Sequence, residues 1–232
     1  MVPIMHIPDG LMDPIIVALG WVIAIIIVGV ATKTINKRIE KKQIPLMATL
    51  AAGIFVAQMV NFPVGGGTTG HLVGAALAAI LLGPFAGLIV ITVILLIQSL
   101  LFGDGGITAL GLNIFNMGII GCFVGWYTYR AFPQKYKKAG IFVASWSAVF
   151  IGAVLCAIEL SISYSLSGGA YGISAIISIP SMLGYHTIIG IGEAIITAGV
   201  ISYISHISPE MIRLPKIMLR GVYHDKEAVL NA

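Results

Sequence analysis

Long apolar runs, separated by short polar segments, constrain this chain more than any other feature of its sequence. Seven such runs lie at residues 14–32, 46–60, 71–83, 84–102, 108–130, 141–166 and 173–205. A helix that crosses the hydrocarbon core of a bilayer needs about 20 apolar residues. Charged residues make up only 9% of the chain, against about 25% of a soluble domain. The sequence therefore predicts an all-α integral membrane protein, with about seven transmembrane helices forming a single transmembrane domain over residues 1–232.

The basic residues predict how the chain is oriented. All 13 Lys and Arg residues fall at 33–42, 130–138 and 213–226, after the first, fifth and seventh apolar runs. With seven spans, these three clusters share one side of the membrane, which the positive-inside rule assigns to the cytoplasm. We therefore expect the N-terminus outside and a cytoplasmic tail at 207–232. The net charge of +4 is then a topology signal, and nucleic acid is not an expected partner.

The sequence lacks the motifs of nucleotide-binding and hydrolytic enzymes. The stretch GGGTTG at 65–70 is not followed by the Lys-Ser/Thr pair with which a P-loop grips phosphate. Any ATPase would therefore be a separate chain, and we expect neither enzymatic activity nor a catalytic cofactor. An alternative is an intramembrane metalloenzyme built on His186, Glu193 and Glu159, because ionisable groups inside a membrane are usually functional. In that arrangement Glu159 could pair with His186.

Two histidines stand on the predicted outer side of the protein. His6 lies in MHIPDG at 5–10, and His71 ends the glycine-rich loop NFPVGGGTTGH at 61–71. The outer segments carry Asp9, Asp13 and Asp104 but no Lys or Arg, which suits a cation as substrate. Each histidine, taken alone, is compatible with an ordinary surface residue. The acidic character of the outer face also follows from the positive-inside bias, which places Lys and Arg on the other side of the membrane.

Four stretches resemble the CbiM/NikM substrate-binding subunits of energy-coupling-factor importers for nickel or cobalt. They are MHIPDG at 5–10, NFPVGGGTTGHLVG at 61–74, FGDGGITALGLNIFNMG at 102–118 and HTIIGIGEAIIT at 186–197. The stretches occur in the family's order, and the match extends over essentially the whole chain. The resemblance implies a multi-pass protein of a prokaryotic cell membrane, with six helices plus an extra N-terminal one. It also implies three kinds of partner: a transmembrane coupling protein, ABC-type ATPase subunits and a small accessory membrane subunit.

The resemblance further implies the metal ligands. In the family the mature chain begins Met-His, and the metal is bound by the terminal amine, the main-chain nitrogen and imidazole of the His, and a second imidazole from the glycine-rich loop. The matching positions here are Met5, His6 and His71. Only a first residue has a free amine, so either translation starts at Met5, or residues 1–4 are removed, or the site differs from that of the family. We favour a start at Met5, with residues 1–4 a mis-annotated start. Side chains that could support these ligands are Asn61, Asn113 and Asn116.

Four nitrogen ligands in a plane favour Ni(II) or Cu(II) and disfavour Zn(II), which prefers a tetrahedron. The MHIPDG and GGTTGH patterns look more like the nickel-type subgroup, so we favour nickel over cobalt as the transported ion. A cobalt-specific subunit that feeds cobalamin synthesis is the main alternative. A vitamin-binding subunit of the same fold is less favoured, because only three Trp residues are present to line an aromatic cavity.

Overall fold

The computed structural model describes residues 6–41, 43–59, 62–64, 68–212, 214, 216–218 and 221–223. Its helices are α1 (Pro14–Asn36), α2 (Gln43–Met59), α3 (Ala75–Leu82), α4 (Pro84–Ile97), α5 (Leu110–Asn113), α6 (Gly121–Ala131), α7 (Lys137–Leu166), α8 (Ala175–Ile207) and α9 (Pro209–Ile212). A π-helical turn at Gln98–Phe102 extends α4, another at Ile114–Ile120 joins α5 to α6, and a 3-10 turn at Gln134–Tyr136 precedes α7. Two short antiparallel hairpins pair β1 (Phe62–Val64) with β2 (Thr68–Gly70) and β3 (Lys216–Met218) with β4 (Gly221–Tyr223).

Most of the predicted apolar runs form long helices. Five segments are long and apolar enough to cross a membrane: Pro14–Asn36, Pro84–Phe102, Leu110–Ala131, Gln134–Leu166 and Ala175–Ile207. The second run forms α2, which has 17 residues. The third run contains only the eight residues of α3, which measure about 12 Å at 1.5 Å per residue and cannot cross a core of about 30 Å. The prediction of an all-α membrane protein is confirmed, and its third helix is a buried half-length segment.

Helix α3 is enclosed by its neighbours. All eight of its residues are buried, and α6 crosses it at two glycines. A Cβ added at Gly121 would lie 2.7 Å from the Cβ of Ala75, and one added at Gly125 would lie 2.9 Å from the Cα of Ala76. Small residues allow helix backbones to approach this closely inside a membrane. The two glycines therefore serve packing within the bundle.

Described residues from each of the three basic clusters, Arg38, Lys138 and Lys216, lie at one end of the bundle. The guanidinium of Arg38, just after α1, donates to the carbonyl of Met218 in the C-terminal region. Lys138, at the start of α7, lines a cavity together with Ser202, near the end of α8. This common location is what the seven-segment topology requires. Assignment of that end to the cytoplasm stays a prediction from the positive-inside rule.

The turn between α3 and α4 fixes the depth at which α3 begins. Gly83 adopts a φ of 87° in this turn, and a Cβ there would lie 3.0 Å from the Cβ of Lys216. The turn therefore lies at the basic end of the bundle. Because α3 is only about 12 Å long, the segment before it, His71 to Gly74, lies inside the bundle, deeper than the outer rim that the sequence suggested for His71.

Candidate metal centre

The N-terminal segment enters the bundle and is held there by a side-chain amide. Asn113, at the end of α5, accepts from the main-chain N–H of Ile7 at 2.9 Å and donates to the Ile7 carbonyl at 3.1 Å. The N–H of Gly106 donates to the same carbonyl at 2.9 Å. Ile7 is fully buried. These bonds satisfy both main-chain groups of Ile7, so they fix the residue that follows His6.

Asp9 provides a second attachment of this segment, to the loop between α4 and α5. Its Oδ1 accepts from the main-chain N–H of Thr108 at 2.7 Å and from the Thr108 hydroxyl at 2.5 Å. These hydrogen bonds, led by the one from the hydroxyl, lower the pKa of the Asp9 carboxyl. The loop approaches so closely that a Cβ on Gly106 would lie 2.5 Å from Asp9 Oδ1 and 2.7 Å from the carbonyl carbon of Pro8. Only glycine fits at position 106.

The docked segment brings His6 against His71. The two imidazole rings have centroids 4.6 Å apart and meet edge to face at 76°, although 65 positions separate them in the sequence. His6 is 3% exposed, and His71 is partly buried. The two predicted histidines, 65 positions apart in the sequence, therefore come together in the interior of the bundle.

Asp104 orients the ring of His6. The Nδ1 of His6 lies 3.1 Å from Asp104 Oδ1, and the bond to His6 lowers the pKa of the Asp104 carboxyl. An ionised carboxylate can only accept a hydrogen bond, so Nδ1 carries the proton that this bond uses. Nε2 is buried and has no hydrogen-bond partner among the described residues.

A main-chain carbonyl holds the ring of His71 through the same nitrogen, Nδ1. Its Nδ1 lies 2.8 Å from the carbonyl oxygen of Leu72, which can only accept. Burial, followed by the nearby charge of His6, lowers the pKa of His71 to about 4. The ring is therefore neutral at pH 7 with Nε2 unprotonated. His71 therefore offers Nε2 as a ligand without first losing a proton.

The other predicted side chains lie elsewhere. The expected pairing of Glu159 with His186 is wrong: Glu159 Oε2 accepts from the amide of Asn116 at 2.6 Å, and His186 Nδ1 bonds to the Met182 carbonyl at 2.9 Å. Asn116 therefore does not support the histidines, whereas Asn113 does. Met5 and Asn61 fall outside the described residues.

Within the ranges given above, no group of three or more His, Cys, Asp or Glu side chains is arranged to hold a metal ion. An ion bound between His6 and His71 would need further ligands of another kind, such as main-chain or terminal nitrogen. Sequence reasoning singled out both histidines and named Asn113 as one of three asparagines that could support them. It gave Asp104 no role beyond negative charge, because the five-residue loop around it carries no signal that it faces residue 6.

Comparison with known proteins identifies the family to which this chain belongs. Residues 6–211 match the family model CbiM, described as the cobalt uptake substrate-specific transmembrane region. A putative fused nickel transport protein, NikMN, from Archaeoglobus fulgidus is 44% identical over 208 residues, which cover 90% of this chain and 68% of that protein.

Solved structures agree with this assignment. The crystal structure of a truncated transition metal transporter is similar with a TM-score of 0.75 and 37% identity, covering 87% of this chain and 98% of that one. The S component of a bacterial ECF transporter is similar with a TM-score of 0.53 and 21% identity, covering 71% of this chain and 96% of the other, which is a likeness of fold alone. The chain therefore belongs to the CbiM/NikM family of multi-pass membrane proteins, the substrate-specific subunits of nickel and cobalt transport in prokaryotes.

Proposed function

We propose that this chain is the metal-capturing subunit of an ATP-driven energy-coupling-factor importer and that its substrate is Ni(II). The observation that carries the proposal is the contact between His6 and His71 inside the bundle, where the two ring centroids lie 4.6 Å apart. The chain would act with a transmembrane coupling protein, ABC-type ATPase subunits and a small accessory membrane subunit, as its resemblance to the family implies.

The proposed ligands are the Met5 amine, the His6 main-chain nitrogen, the His6 imidazole and the His71 imidazole. Covalent geometry decides which ring nitrogen of His6 can join this set. An ion on the His6 main-chain nitrogen closes a six-membered ring through Cα, Cβ, Cγ and Nδ1, whereas Nε2 of the same ring points away from that ion. Nδ1 donates to Asp104 in this structure. Capture at Nδ1 therefore replaces this hydrogen bond with the metal bond, and the proton on Nδ1 moves to Nε2 of the same ring.

This ligand set favours nickel. Two imidazoles, an amine and a deprotonated amide form a strong-field square plane, the geometry preferred by Ni(II) and Cu(II). The relative that is 44% identical is named for nickel transport, whereas the family description names cobalt. Copper would bind such a site more tightly than nickel, so the choice of nickel in the cell depends on the supply of each ion.

The test compares a chain that starts at Met1 with one that starts at Met5. Each is titrated with Ni(II) while the visible d–d absorption is recorded. We expect a tight one-to-one site with a square-planar spectrum only in the Met5 form, and we expect His6→Ala and His71→Ala to abolish it.

Equal binding by both forms would show that no terminal amine at Met5 is used. Failure of both forms to bind Ni(II) would reject nickel, and the same titration with Co(II) would then examine the cobalt alternative. An intact mass of the native protein that includes residues 1–4 would contradict a start at Met5.

A further inference from the structure

We propose that Glu193 of α8 is a positioning residue that holds the His71 segment in its metal-binding conformation, with Gln58 of α2 holding the same segment from another direction. The inference rests on the proposed function, because it assigns a role at the same site. Neither residue is a metal ligand in the proposed set.

Glu193 uses both carboxylate oxygens on the segment that follows His71. Oε2 accepts from the main-chain N–H of Val73 and Oε1 from that of Gly74, both at 2.8 Å. Glu193 is 1% exposed. Two consecutive N–H groups can reach one carboxylate because Gly74 adopts a φ of 72°. A side chain is also excluded there, since a Cβ on Gly74 would lie 2.5 Å from Cγ2 of Ile54.

Gln58 binds the opposite side of the same peptide. Its amide nitrogen donates to the Val73 carbonyl at 2.6 Å, and its oxygen accepts from the amide of Gln98 at 2.7 Å. Gln58 and Gln98 are both fully buried. Both main-chain groups of Val73, two residues after His71, are therefore fixed by side chains from different helices. The position of the His71 ring follows from the position of this peptide.

The segment borders a cavity on one side and is packed on the other. A cavity of about 300 Å³ lies between α2 and α8, and its walls include Leu72, Gly74, Ile54 and Glu193. Val73 and Gly74 are themselves buried. Packing and the hydrogen bonds to Glu193 and Gln58 therefore act together on residues 71–74, and the hydrogen bonds add direction because each fixes one main-chain group.

Glu193→Gln tests the role with little change in size. Glutamine has one acceptor oxygen, and its NH₂ group would face one of the two main-chain N–H groups. We expect Ni(II) affinity to fall about 10- to 100-fold, as is typical when an outer partner of a metal ligand is lost. The d–d band should keep its position, because the ligands themselves are unchanged.

Glu159→Gln is the matched control. Glu159 is also a carboxylate on a long helix, and it bonds to Asn116 and not to the His71 segment. We expect the Ni(II) affinity of Glu159→Gln to stay within about twofold of that of the unmodified protein. This change is much smaller than the one expected when a residue that supports a metal ligand is lost. Should Glu193→Gln fail to fold, Gln58→Met provides the second variant, since it removes the bond to the Val73 carbonyl and keeps the side-chain volume.

A metal-independent measurement separates this inference from the proposed function. Hydrogen exchange of the Val73 and Gly74 amides is followed in the metal-free protein, and Glu193→Gln should accelerate it while Glu159→Gln should not. Accelerated exchange with unchanged Ni(II) affinity would overturn the positioning role and leave the proposed function standing. Unchanged exchange would overturn it as well. An unmodified protein that binds no Ni(II) in the Met5 form overturns both.

Discussion

Gly106→Ala should weaken metal binding without altering any proposed ligand. Gly106 lies where the loop after α4 meets the N-terminal segment, and its N–H donates to the Ile7 carbonyl at 2.9 Å. An added Cβ would lie 2.7 Å from the Pro8 carbonyl carbon and 2.5 Å from Asp9 Oδ1. Cβ atoms essentially never come within 3.0 Å of such neighbours. Because part of the obstruction is main chain, it cannot rotate away, and the segment itself must move.

The magnitude follows from the cost of overpacking. Inserting a methyl group into a filled site costs about 1–3 kcal/mol. Here that cost falls on the docked state of the N-terminal segment, so it lowers the population that can bind metal. At about 1.4 kcal/mol per factor of ten, the apparent Ni(II) affinity should fall about 5- to 150-fold. We expect the upper part of that range, since the obstruction includes main-chain atoms on the segment that carries His6.

Isothermal titration of the Met5 form with Ni(II) measures this change. Gly29→Ala is the control, because a Cβ at Gly29 in α1 meets nothing within 4 Å and alanine is favoured over glycine in a helix by about 1 kcal/mol. The control should bind like the unmodified protein and unfold at the same or a higher temperature. If Gly106→Ala binds as tightly as Gly29→Ala, docking of residues 7–9 is not required for capture, and the reasoning from the N-terminal segment fails.

Three further predictions test other parts of the structure. Ni(II) binding at pH 7 should release about two protons, one from the amine and one from the amide. An α-amino group has a pKa of about 7.7–8.0, so it is mostly protonated before binding, whereas His71, with a pKa of about 4, has no proton to lose. Calorimetry in buffers of different ionisation enthalpy counts the released protons, and a value near zero would indicate binding by imidazoles alone. Asp13→Ala removes the N-cap of α1, whose carboxylate accepts from Ile15 at 2.8 Å, and should cost about 1 kcal/mol of unfolding free energy in a detergent denaturation assay, without changing Ni(II) affinity. Gly111→Ala places a Cβ 2.5 Å from the main-chain nitrogen of Trp21 and should destabilise the packing of α1 on α5 by about 1–3 kcal/mol, seen as a lower unfolding temperature than that of Gly29→Ala.

The sequence predicts those features that depend on local pattern. Apolar runs locate the helices because burial in lipid requires that pattern over about 20 residues. The MHIPDG and GGTTGH motifs identify His6 and His71, which the fold brings together. The sequence left open whether Asn61, Asn113 or Asn116 supports the ligands, and the structure shows Asn113 bonded to Ile7.

The features that the sequence did not predict depend on contacts between distant segments. The third apolar run is continuous from 71 to 83, so its pattern does not reveal that the helix begins only at Ala75. The first four residues lie outside the helix, and the N–H groups of two of them, Val73 and Gly74, donate to Glu193, about 120 positions later. The incorrect pairing of Glu159 with His186 has the same origin. Residues on two adjacent long helices can be assigned to faces by periodicity, but the rotation of one helix against the other is decided by packing.

The two histidines are anchored to different parts of the bundle. His6 is fixed through Asn113 on α5 and through Asp104 and Thr108 in the loop after α4. The His71 segment is fixed through Glu193 on α8 and Gln58 on α2. The amide of Gln98, in the turn that extends α4, donates to Gln58 and so joins the two sets of anchors. Since metal ligation tolerates only a few tenths of an ångström, both sets of hydrogen bonds must keep their places for the two rings to share one ion.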